Sequence, residues 1–151
     1  MIEVRRIGED DWREWRLLRL AALSTDPDAF GSTLAAWSGS NDLEARWRAR
    51  LAGSPFSALL DLDGRTVGMV AAFDAGEAVE LVSLWVDPSA RGRGIGEAAV
   101  AAVVDVADGR DLMLSVRTAN AAAIRLYRRC GFVDEGPSPD DPRERRMRRP
   151  S

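Results

Sequence analysis

Val86-Asp87-Pro88-Ser89-Ala90-Arg91-Gly92-Arg93-Gly94-Ile95-Gly96 is the stretch whose reading decides the fold. It joins an apolar, partly β-branched run, Ala78 to Val86, to a long alanine-rich helical segment, Gly94 to Ala107. The glycines let the backbone turn tightly and leave amide N–H groups uncovered. The helix starting behind them adds the positive end of its dipole, so the loop suits phosphate oxygens. Arg91 and Arg93 supply charge. A glycine-rich turn that merely opens a helix looks much the same, so the loop by itself leaves both readings open.

Two better-known phosphate loops are excluded by the residues. A Walker loop ends in Gly-Lys-Ser/Thr, and the chain has no lysine. A dinucleotide fingerprint has G-x-G-x-x-G early in a parallel sheet, whereas Gly92, Gly94 and Gly96 are spaced G-x-G-x-G after what reads as an antiparallel meander.

Upstream, Phe56 to Leu62, Thr66 to Phe73 and Ala78 to Val86 are apolar runs separated by Asp63-Gly64 and Ala75-Gly76, which predicts a three-strand meander. Ile2, Val4 and Ile7 form a first strand. Asp11 with Glu14, and Asn41 with Glu44, have the spacing of helix-start capping pairs. Trp12, Trp15, Leu18 and Ala22 recur at helical spacing after the first, and Leu43, Trp47 and Leu51 after the second. Downstream, Leu112 to Val116 is a strand, Asn120 to Cys130 a helix ended by Gly131, and Phe132-Val133 a short strand. This order predicts one α/β layered domain over residues 1–151, with a strand–helix–strand crossover near its centre. A length of 151 residues is enough to bury a core but too short for two ordinary domains.

Composition removes whole classes of chemistry. There is no histidine, and Cys130 is the single cysteine, so zinc sites, internal disulfides and His-based triads are excluded. Without lysine, Schiff-base chemistry is excluded too. Proton transfer falls to Glu, Asp, Tyr, Cys or water. A net charge of −3 argues against a nucleic-acid partner, which calls for a basic face. Nothing at the start reads as a secretory signal, and Asp105 interrupts even the run from Ala98 to Ala107, so no membrane span is expected and the chain reads as cytoplasmic.

The chain resembles the GNAT superfamily of acyl-CoA-dependent N-acyltransferases. Its central motif, Gln/Arg-x-x-Gly-x-Gly/Ala, is matched by Arg91, Gly94 and Gly96, preceded by Val86-Asp87-Pro88. A second motif, Asn-x-x-Ala-x-x-x-Tyr-x-x-x-Gly-Phe, is matched by Asn120, Ala123, Tyr127, Gly131 and Phe132. The resemblance is close over about residues 77–133. It implies a mixed, mostly antiparallel sheet with helices on both faces and a bulged, splayed cofactor strand. The cofactor implied is acetyl-CoA, as acyl donor, without a metal.

Carried over residue by residue, the resemblance implies that backbone groups of Leu84, Trp85 and Val86 pair with the pantetheine arm. The amides of Gly92, Arg93, Gly94, Ile95, Gly96 and Glu97 hold the pyrophosphate, and Asn120 reaches the cofactor while also serving as a helix cap. Tyr127, the single tyrosine, is implied as the acid that protonates the departing thiolate; read from its helix face alone, it is a packing residue beside Ala123. A lysine-like amine is about one part in a thousand neutral near pH 7.4, so its proton must be taken. Strict alternation puts Glu80 on one face with Val82, Leu84 and Val86, where apolar neighbours favour a base; a water relay is the other source.

The acceptor, an amine on a small molecule, peptide or protein, is expected between the first two helices, with Asp26, Asp28 and Phe30 as contacts or as plain turn residues. Arg143 to Arg149 reads as a solvated final strand, more polar than the family's usual one. Pairing into a homodimer is compatible with this reading. A non-catalytic acyl-CoA-binding or regulatory module would keep the same loop without turnover.

Overall fold

In the computed structural model, which describes residues 1–151, each apolar run of the middle of the chain becomes a strand of one seven-stranded sheet. The strands are β1 (Ile2–Arg6), β2 (Phe56–Leu62), β3 (Arg65–Asp74), β4 (Ala78–Val86), β5 (Asp111–Arg117), β6 (Val133–Pro137) and β7 (Glu144–Arg149). Their order is β1-β2-β3-β4-β5-β7-β6, antiparallel at every pairing except β4 with β5. The parallel pair is closed by the helix α4 (Ile95–Ala107), the crossover expected from the segment order.

The helices α1 (Trp12–Thr25), α2 (Leu34–Trp37) and α3 (Glu44–Ala52) are joined later in the chain by α4 and α5 (Ala121–Arg129). Two separate cores follow from this division. On one face, Leu60, Val79, Leu81, Leu112, Leu114 and Met147 pack with Ile95, Val103 and Tyr127 of α4 and α5. On the other, Leu59, Met69, Ala71 and Trp85 pack with Trp15, Trp47 and Leu51 of α1 and α3. The tryptophans at helical spacing thus lie inside, as the periodicity requires. Asp42 accepts from the Trp47 indole N–H at 2.8 Å and from Arg16, which together hold its carboxyl down to about 2, with Arg16 the larger cause. No helix is long and apolar enough to cross a membrane.

Three local expectations are corrected. Asp11 does not cap α1; its carboxylate turns back to accept from the Gly8 N–H at 3.0 Å. Asn41 is also not a cap: α3 starts after Leu43, and Asn41 donates to the Ala35 carbonyl instead, 3.2 Å away. In both cases a short polar side chain found a nearer backbone partner. Between the two helices expected from the capping pairs the chain forms a third, the four residues of α2, capped by Thr33 Oγ1. The arginine-rich final strand does pair, and on both sides: β7 inserts between β5 and β6. Met147 alone of its residues enters the core, while Arg145, Arg146 and Arg148 bond Asp134, Glu80 and Asp111.

The decisive irregularity is a bulge in β4. Met69 lies opposite Trp85 and Ala71 opposite Val82, so Ser83 and Leu84 together face Val70. Ser83 adopts a left-handed φ of 57°, uncommon for a residue with a side chain. The extra residue inverts the alternation. Val79 and Leu81 face α4 before the bulge, and Leu84 and Val86 face it afterwards, while Val82 and Trp85 face α1 and α3. Glu80 therefore shares a face with Val82 and Trp85, not with Leu84 and Val86 as strict alternation predicts. The β3 backbone follows closely, for a Cβ placed on Gly68 would lie 2.4 Å from the Trp85 carbonyl oxygen. Gly68→Ala is expected to cost about 1–3 kcal/mol, as overpacking does. Gly8→Ala, which meets nothing within 4 Å, is expected to leave stability almost unchanged in the same urea titration.

Candidate active site

Beyond Glu80 and Met113 the register between β4 and β5 ends, and the two strands part. The bulge follows directly, so Leu84, Trp85 and Val86 reach the parting with no strand on their β5 side. A cavity of about 550 Å³ fills the space. It is walled by Leu84 to Val86 on one side and by Asn120, Ala122, Ala123, Leu126 and Tyr127 on the other. Its end is the loop Ala90 to Glu97, less Arg93.

The loop takes its shape from its own residues. Asp87 caps a short turn by accepting from the Ser89 N–H at 2.9 Å. Gly92 and Gly94 have φ of 77° and 85°, and Gly94 is the residue from which α4 starts. Gly92 and Gly94 bring no side chain of their own to the cavity end, which Arg91 and Glu97 also line. Gly96 has a different task, since a Cβ there would meet Leu126 Cδ2 at 2.8 Å. It lets α5 lie against α4, which brings Asn120, Ala123 and Tyr127 to the cavity.

Of the arginines assigned to phosphate, neither is a free cation at the cavity. Arg91 Nε donates to the Val86 carbonyl at 2.9 Å and its Nη2 to Asp26 Oδ2 at 2.8 Å. Asp26 Oδ2 also accepts from Trp85 Nε1 at 2.8 Å. One carboxylate oxygen thus ties the cofactor strand and the loop to the connection after α1. Arg93 lies outside the cavity lining. Sequence reasoning missed Ala122, Leu126 and Arg129; the first two and Arg129 recur at i, i+4 and i+7 along α5, a spacing that places them on one face. Arg129 bonds Glu97 at 3.0 Å in an exposed pair.

Tyr127 is buried, edge-on to Phe132 with ring centroids 5.6 Å apart, and lines the cavity. Burial pushes its phenol well above the ordinary value, with Cys130 a smaller cause, so the hydroxyl keeps its proton across the neutral range. Asn120 does two things at once: its Oδ1 caps α5 by accepting from Ala123 N–H at 3.2 Å, and its side chain lines the cavity. Glu80 lies outside the cavity lining and accepts from Arg146 at 2.9 Å, half-exposed. Phe30 and Asp26 line the cavity, while Asp28 does not.

Residues 7–132 match the Acetyltransferase (GNAT) family. The chain is 45% identical over 57 residues to the N-alpha-acetyltransferase RimI of Mycobacterium tuberculosis, covering 38% of this chain and 36% of that protein. It is 35% identical over 131 residues to the mycothiol acetyltransferase of Clavibacter sepedonicus, covering 83% of this chain and 40% of that one. The chain thus spans two fifths or less of the length of these curated relatives. Among solved structures, the PaiA N-acetyltransferase of Thermoplasma acidophilum, in complex with coenzyme A, has the same fold. Its TM-score is 0.74 at 16% identity, over 100% of this chain and 99% of that one. The motifs, the parted strands and the glycine-shaped loop converge with these likenesses on one conclusion: the chain belongs to the GNAT family of acetyltransferases.

Proposed function

We propose that this chain, folded as a single domain over residues 1–151, is a cytoplasmic N-acetyltransferase that passes the acetyl group of acetyl-CoA directly to a primary amine. The observation that carries the proposal is the cavity between the parted strands, with the glycine loop at its end and the buried Tyr127 on its wall. The RimI and mycothiol relatives support acetyl transfer without deciding the acceptor.

The residues present fit the cofactor. Gly92 and Gly94 add no side chain to the cavity end beside Arg91 and Glu97, which leaves room for the amides of Gly92 to Glu97 to hold a pyrophosphate. The unpaired edge of Leu84 to Val86 offers its peptide groups to an extended arm. Bound acetyl-CoA supplies an acetyl group activated as a thioester. Tyr127 Oη hydrogen-bonds the departing sulfur and gives it a proton, and because burial disfavours the phenolate it regains one from the proton that the amine releases. The amine approaches from the α1 side, past Phe30 and Asp26. Glu80 faces that side of the sheet, and because it does not line the cavity it takes the amine's proton through water.

Three measurements test this reading. Gly94→Asp sets a carboxylate at the phosphate end, beside Glu97, and is expected to weaken acetyl-CoA binding at least about a hundredfold, since opposed like charges cost several kcal/mol. Gly109→Asp has the same φ of 85° in open space, and calorimetry should find its acetyl-CoA affinity unchanged. Tyr127→Phe keeps the ring and removes the donor, so kcat should fall roughly ten- to a thousandfold with acetyl-CoA affinity retained. Full turnover in that variant would contradict the acid role. Glu80→Gln keeps an acceptor for Arg146 while abolishing basicity, and a kcat at the wild-type level would leave water alone as the base.

A further inference from the structure

A second cavity lies on the far side of the β4 bulge, and its lining asks for an anion. It measures about 210 Å³, and its walls include Trp15, Trp37, Trp47, Arg19, Arg50 and Ser83 and no acidic residue. Arg19 Nη1, Arg50 Nη1 and Trp15 Nε1 are all buried donors without a hydrogen-bond partner. Buried donors of native proteins are nearly always satisfied, and three orphans around one cavity point to a missing acceptor.

The two arginines are held in place, not merely stranded. The Arg19 guanidinium lies 4.7 Å over the Phe30 ring, and Arg50 lies 4.7 Å over Phe73 and 5.5 Å over Trp15. Arg50 Nη2 reaches Ser83 Oγ at 3.5 Å, on the bulge itself. Neither forms an ion pair, in a chain where Arg5, Arg16, Arg48, Arg91 and Arg146 all do. Burial lowers Arg19 to about 10, with Arg50 as a further cause, and burial alone lowers Arg50. Two like charges kept close together in a partly dry place raise each other's energy, and a bound anion relieves both.

The position says which molecule brings the anion. Phe30 walls the acetyl-transfer cavity, and Arg19 of the second cavity stacks on that ring. Ser83 of the second cavity is followed in the chain by Leu84 of the first. We propose that Arg19 and Arg50, with the Trp15 indole N–H, bind the carboxylate of the acceptor, so that the acceptor is a small amino acid-like molecule carrying amine and carboxylate together. The fork of a guanidinium matches a carboxylate, and the tryptophan walls suit an apolar body beside it. The cavity's small volume favours a free amino acid over a folded protein surface. This assignment rests on the acetyl-transfer reading for the amine, and on the orphaned donors for the acid.

The test sets acids against their own amides. Release of coenzyme A thiol is measured with each common amino acid, with β-alanine and with 4-aminobutyrate, and with the carboxamide of each. For at least one pair the acid is expected to have a kcat/KM about ten- to a hundredfold above its amide, the range that hydrogen bonds to a charged group supply. That ratio should collapse toward one in Arg19→Gln and Arg50→Gln, whose folding is checked by the rise in melting temperature with acetyl-CoA. Binding of phenylacetate against phenylacetamide, by calorimetry on the wild type, supplies a readout free of turnover. Tighter binding of the acid, lost in either variant, supports the site even if no amine is acetylated, an outcome that would count against acetyl transfer instead. Equal use of acids and amides, or equal or undetectable binding of phenylacetate and phenylacetamide, would overturn the carboxylate site while leaving acetyl transfer standing.

Discussion

The parting of β4 from β5 is the constraint on which the rest of the structure depends. A parallel pair normally continues for the length of its strands, because every unpaired peptide group in a sheet interior costs hydrogen bonds. Here the pairing stops after Glu80 and Met113, and the peptide groups of the next six residues of β4 lack that neighbour. The bulge at Ser83 and Leu84 steers β4 off the sheet, and Gly68 lets β3 stay against it through the bend. What is left is an edge in the middle of the molecule, which a ligand with amide groups of its own can complete.

Several features that look independent serve this one opening. Asp26 gathers Trp85 and Arg91, fixing the far end of β4 and the loop to the α1 side. Gly96 brings α5 close enough to α4 for Tyr127 and Asn120 to form the opposite wall. The last strand, β7, gives β5 a partner on its other side, so that β5 stays in the sheet when β4 leaves it. Its arginines bond carboxylates of three neighbouring strands, among them Glu80 at the point of parting.

Much of this was legible in the residues. The meander was marked by apolar runs between Asp-Gly and Ala-Gly turns, and the loop and α5 by glycine, arginine and aromatic spacing over about residues 77–133. The bulge was not legible, since Leu81 to Val86 is apolar at every position but Ser83 and so marks no change of face; it changed which face Glu80 shares. Arg91 and Arg93 were assigned to phosphate by charge alone, and only the folded chain reveals Asp26 waiting for Arg91. The tryptophan spacing on α1 and α3 foretold a core. It could not foretell that Arg19 and Arg50, one turn from Trp15 and Trp47, would lie beside that core without a counter-charge.

Amide hydrogen exchange with and without acetyl-CoA tests the central claim most directly, because it reads the backbone groups said to hold the ligand. The account predicts that acetyl-CoA slows exchange in Leu84 to Val86 and in Gly92 to Glu97 together, leaving β1 and β2 unaffected. Unchanged exchange in both segments, or slowing confined to other parts of the chain, would contradict it.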